Sequence, residues 1–123
     1  DFHVYRKFVR PFIELKLCIA EDIEKGTPPT QQTLTQYQQI LTDALAQCDL
    51  TEFSPTVGES FQGAFGVESD MTVYEDTTDP NKHLTIASVI KPGFKRLCPD
   101  KSELVVLPPQ VTVFKLKNGD HDG

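Results

Sequence analysis

No stretch of the 123-residue sequence approaches the roughly 20 consecutive apolar residues that a membrane-spanning helix needs. The residues from Asp1 onward also lack the charged-then-apolar layout of a secretory leader. Cysteine is sparse and odd in number. Cys18, Cys48 and Cys98 stand too far apart for zinc-ligand or redox-pair spacing. A Cys18–Cys48 bridge between helices stays open, but the expected state is three reduced, buried thiols in a cytoplasmic protein. Twelve Lys and Arg against 18 Asp and Glu give a net charge of −6, and no basic cluster stands out, which makes nucleic acid a poor partner. There is no glycine-rich phosphate loop: Gly63-Ala64-Phe65-Gly66 is too short and falls between strands instead of opening a helix.

Catalytic groups are equally scarce. His3, His83 and His121 are scattered, and a Cys98–His83 nucleophile pair would have to be assembled entirely by the fold. Cys98 is followed by Pro99 and Asp100 and has no activating neighbour. Glu68, Asp70, Glu75, Asp76 and Asp79 lack the close alternation and glycine turn of a calcium loop. They read as a solvated acidic face able to steer a basic partner. The expectation is a protein that is not an enzyme and uses neither cofactor nor metal.

What the chain does have is a core: 38% hydrophobic residues and eight Phe, enough for one domain or a small domain with a helical appendage. Tyr5, Phe8, Val9, Phe12, Leu15, Ile19 and Ile23 recur at steps of three and four, one stripe of an amphipathic helix, broadened by Ile13 and Leu17. Pro11 interrupts that stripe and predicts a helix start or kink there. Lys25-Gly26-Thr27-Pro28-Pro29 stops the helix, with Gly26 at the left-handed cap. A second helix is expected from about Thr30 to Cys48, its stripe made of Tyr37, Ile40, Leu41, Ala44, Leu45 and Cys48 and its outer face rich in glutamine. Two helices with so short a link form an antiparallel hairpin. Alone it leaves apolar surface uncovered, to be met by the C-terminal part, a second copy, or both.

After residue 50 the pattern changes to short strands separated by turn residues. Strands are expected over Leu50–Phe53, Val57–Phe61, Met71–Glu75, His83–Ile90, Leu104–Leu107 and Val111–Leu116. Asp79-Pro80-Asn81 and Pro92-Gly93 read as turns, the latter as the centre of a type II turn. Pro108-Pro109 forbids an unbroken central strand and implies an edge or a crossing. The expected class is α+β: a helical hairpin over residues 1–50, paired with a second copy as a dimeric four-helix bundle, then a small all-β domain over 51–117 and a disordered tail over 118–123. In that bundle Phe8, Phe12, Leu15, Ile19, Tyr37, Ile40, Leu41 and Leu45 form the dimer contact.

Several segments resemble the GrpE family, the nucleotide exchange factors of DnaK-type heat-shock chaperones. The family's β-domain has a strand followed by Gly and an aromatic, and a strand entered through Arg-Pro-Ala and continued by alternating valines. Ser88-Val89-Ile90-Lys91-Pro92-Gly93-Phe94 is similar to the first, and Leu107-Pro108-Pro109-Gln110-Val111-Thr112-Val113 to the second. Leu45–Leu50 followed by Pro55–Phe61 resembles the path from second helix into β-domain, and Arg10-Pro11-Phe12-Ile13-Glu14 resembles the family's proline-containing helix. The resemblance spans residues 8–115. The chain departs from it at Gln62-Gly63, where the family has Asp-Pro, and at Leu107 and Pro109, where it has Arg and Ala.

The resemblance implies a homodimeric, cytoplasmic co-chaperone of the stress response. It would bind the nucleotide-binding domain of a DnaK-type chaperone and promote ADP release. The implied partner surface comprises Val57, Gly58, Phe61, Gly63 and Phe65 together with Pro92, Gly93, Phe94 and Lys95. An adaptor that keeps this architecture without exchange activity is the alternative.

Overall fold

The computed structural model describes residues 1–117, so the tail expected over 118–123 lies outside the described residues. Two helices precede two small β-sheets. The chain divides into two compact units, one running Asp1–Leu50 and the other beginning at Thr51.

Helix α1 spans Phe2–Lys25 and helix α2 spans Gln31–Gln47. Their ends follow capping chemistry. The Asp1 carboxylate accepts from the His3 N–H at 2.8 Å, and the Thr30 hydroxyl accepts from the Thr33 N–H at 3.1 Å, each satisfying a donor that the first helical turn leaves free. Gly26 ends α1 at φ 70°, its N–H donating to the carbonyls of Asp22 and Ile23. α1 does not start at Pro11 but runs through it. The proline removes only the donor that would meet the Lys7 carbonyl. Leu15 and Ala44 are the buried residues of the two helices, and the Tyr37 hydroxyl donates to the Asp22 carboxylate across the hairpin.

The second unit holds β1 (Leu50–Phe53, entered from the last residue of the helical unit), β2 (Thr72–Thr77), β3 (Ile86–Lys91), β4 (Gly93–Leu97), β5 (Glu103–Leu107) and β6 (Gln110–Leu116). One sheet has the order β1-β4-β5, the other β2-β6-β3. β6 is central in the second sheet, parallel to β2 and antiparallel to β3. Pro108 and Pro109 lie where the chain leaves the edge strand β5 and enters β6, a crossing that needs no ladder N–H from either. Alternation along β6 buries Val111 and Val113, which with Ile86 form the core, surrounded by Phe61, Val67, Leu84 and Val89. Each such aliphatic side chain contributes about 1.5–3 kcal/mol of transfer free energy.

Three expectations fail locally. Val57–Phe61 is a turn, not a strand: only Ser60 makes a β-bridge, to Thr85. Gly58 at φ 97° breaks the extended path, and the segment is instead tied to the sheet by Gly58 N–H to Ile86 O and Phe61 N–H to Leu84 O, both 2.9 Å. The strand expected from His83 begins at Ile86, because Leu84 takes a left-handed φ of 58° that no strand continues through. Pro92-Gly93 is not a turn centre, since Gly93 is the first residue of β4.

Candidate functional site

The residues expected at a partner surface fall into two groups. Val57 and Phe65 are exposed, at 61% and 48%, and Gly58 and Gly63 are exposed with them. Phe61 packs on the Ile86–Val111–Val113 core. Gly93 is buried, while Pro92, Phe94 and Lys95 are half-buried.

The fold joins the two expected segments through Lys95. Its ammonium pairs with Glu103 at 2.7 Å and lies 5.8 Å from the ring centroids of both Phe53 and Phe65, whose rings are themselves 5.2 Å apart. Gly66, at φ 74°, brings the loop so close that an added Cβ would stand 2.7 Å from Phe53. Phe65 is thus held in place with one side outward. The sequence expectation missed further exposed apolar residues on the same hairpin of strands, Leu97 and Leu104, Val106 and Leu107. For Leu104, Val106 and Leu107 the signal was the uncharged run Leu104–Leu107, which forms the edge strand β5, whereas Leu97 ends the neighbouring β4.

On the helical unit, the eight expected dimer residues separate by exposure. Leu15 is buried, Phe8, Phe12, Tyr37 and Leu45 are half-buried, and Ile19, Ile40 and Leu41 are exposed. Ile13, Leu17, Ile23 and Leu34 are exposed as well, Ile23 at 74%. Two amphipathic helices therefore leave a broad apolar surface facing solvent. Near the turn, Ile19, Ile23, Leu34, Pro28 and Pro29 line a pocket of about 450 Å³ with Asp22 and Tyr37 at its wall. The Asp22 hydrogen bond, then burial, then the Asp22 charge push the Tyr37 phenol up to about 12.

The remaining candidates do not converge. Cys18 is exposed and not one of three buried thiols, because it faces outward on α1; Cys48 and Cys98 are half-buried, and all three are free. Cys98 sits in the β4–β5 turn, donating its N–H to the Ser102 carbonyl. His83 is engaged elsewhere, its Nδ1 accepting the Leu116 N–H at 2.9 Å. Asp100 is held below the usual carboxylate range by the Ser102 hydroxyl and then by the Ser102 N–H. Among the described residues no three His, Cys, Asp or Glu side chains cluster as metal ligands, and no helix is long and apolar enough to cross a membrane.

The expected lack of a basic cluster does not hold. His3, Arg6, Lys7 and Arg10 share a groove on α1, a basic cluster that net charge concealed and three- and four-residue spacing would have revealed. No protein-family model matches the chain, and no curated protein matches it.

Proposed function

We propose that the protein is a GrpE-like co-chaperone that binds the nucleotide-binding domain of a DnaK-type chaperone and promotes ADP release. The observation that carries this reading is the meeting of the two segments on which the resemblance rests. Gly93 of the Pro92-Gly93-Phe94 segment lies against Leu107 and Pro109, with no room for a side chain between them. Two segments so far apart in sequence thus meet in one small β unit, mainly through the backbone at Leu107 and Pro109, positions whose side chains differ from the family's. The order of elements, a helical hairpin followed by two three-stranded sheets, agrees with the same reading.

In this reading the hairpin's exposed apolar residues meet those of a second copy, completing a four-helix bundle, and the dimer works in the cytoplasm. The β unit presents Val57 and Phe65, with Lys95 fixed behind Phe65, to the chaperone. No covalent step is involved. The β unit binds the open form of the nucleotide cleft better than the closed form, and ADP does the reverse, so each weakens the other. A difference of about 1.4 kcal/mol between the two forms is worth a factor of ten in ADP affinity.

Calorimetric titration of the chain into a DnaK-type nucleotide-binding domain tests this. Binding to the nucleotide-free domain is expected to be at least about tenfold tighter than to the ADP-loaded one. Equal affinity for both would leave the adaptor reading, and no binding to either would remove chaperone recognition altogether.

A further inference from the structure

Between Phe2 and Ile13 the chain carries Arg6, Lys7 and Arg10 with His3, and no carboxylate at all, although its net charge is −6. Arg6 and Arg10 are four residues apart on α1, and Lys7 and Arg10 three, spacings at which like charges on a helix repel. Of these four side chains only Arg10 has an ion-pair partner among the described residues, Glu14 at 2.8 Å, and both members of that pair are exposed. Arg6 and Lys7 have none. The fold therefore keeps a concentration of positive charge that it does not neutralise, the kind of local inconsistency that marks sites of function.

These side chains are not merely adjacent on a convex surface. His3, Arg6, Lys7, Arg10 and Glu14 of α1 and Gln47 at the end of α2 wall a groove of about 680 Å³. At a rise of ~1.5 Å per residue, His3 to Arg10 covers roughly 10 Å of helix. That length suits a few linked phosphates. It is short for an acidic peptide strand.

We propose that this groove is a binding site for a compact polyphosphate anion. The Arg6 and Arg10 guanidinium forks and the Lys7 ammonium take successive phosphates, since planar forks match phosphate oxygens two at a time. His3 and Gln47 supply further hydrogen-bond donors at the rim. Glu14 opposes binding in two ways, by occupying Arg10 and by repelling the anion. The site is independent of chaperone recognition, which concerns the β unit.

The test is titration of the full chain with inorganic tripolyphosphate at constant ionic strength, followed by calorimetry and backbone amide shifts. Saturable binding is expected, with shifts concentrated at residues 3–14 and at Gln47. Arg6→Gln and Lys7→Gln should each lower affinity by about tenfold at unchanged helical content, charge-assisted contacts being the strong ones. Glu14→Gln should tighten binding, a gain that damage to the helix would not produce. The proposal is overturned if sulfate at the same ionic strength binds as well, or if the Arg6 and Lys7 variants bind like the parent. Weaker binding by Glu14→Gln would also overturn it. So would capture by phosphatidylserine vesicles without tripolyphosphate binding, an outcome that assigns the cluster to a membrane surface.

Discussion

Gly93 lies so close to Pro109 that a Cβ built on it would stand 2.7 Å from the proline nitrogen, and 2.6 Å from the carbonyl oxygen of Leu107. Those neighbours are backbone and ring, with no flexible end to swing aside. Gly93→Ala is therefore expected to destabilise the β unit by about 1–3 kcal/mol, the usual cost of overpacking. Urea unfolding followed by far-UV circular dichroism measures it. An unchanged midpoint would mean that the two segments are not pressed together.

Ile86, Val111 and Val113 are essentially without solvent exposure. Ile86→Val is expected to cost about 0.5–1.5 kcal/mol and Ile86→Ala about 2–5 kcal/mol, the larger loss including the cavity. The same unfolding experiment reads both, and equal small losses would place Ile86 outside the core.

The Tyr37 phenol, pushed up to about 12, donates to Asp22 only while protonated. A pKa raised in the folded state means the hydrogen bond contributes fully below the ordinary tyrosine value of about 10 and is lost as pH rises through about 12. Subtracting the alkaline absorbance titration of Tyr37→Phe from that of the parent should leave one phenolate transition at about 12. A difference transition near 10 would show that the two helices are not joined there.

The exposed Ile19 and Ile40 belong to the surface proposed to pair with a second copy. Ile19→Glu with Ile40→Glu is expected to weaken dimerisation by more than about tenfold in sedimentation velocity, with helical content retained. A parent chain that stays monomeric at every concentration would refute the bundle.

Much of this architecture was legible because local signals agreed with one another. Gly26 and the two prolines after it bounded α1, and the steps of three and four gave both helices. Pro108-Pro109 implied an edge or a crossing, and the chain passes there from one sheet to the other. What could not be read were features set by distant partners. Val57–Phe61 has the composition of a strand, yet Gly58 turns it, and its hydrogen bonds go to Leu84 and Ile86, more than 20 residues away. Pro92-Gly93 has turn chemistry, but the contact with Pro109 requires glycine for closeness, a reason invisible without the fold. At the site, Phe61, Phe65 and Phe94 are alike in sequence. Only packing separates Phe61 on the core from Phe65, held by Lys95 and Phe53 with one side outward. Likewise Arg6, Lys7 and Arg10 vanish into a net charge of −6 until α1 aligns them.

Release of a fluorescent ADP analogue from a DnaK-type chaperone, followed by stopped flow with increasing amounts of the chain, tests whether the protein promotes nucleotide exchange. The release rate is expected to rise to a plateau at least about tenfold above the spontaneous rate, and to fall back when Phe65→Ala and Val57→Ala are combined. A rate that stays at the spontaneous value when the chaperone is saturated with the chain would contradict it.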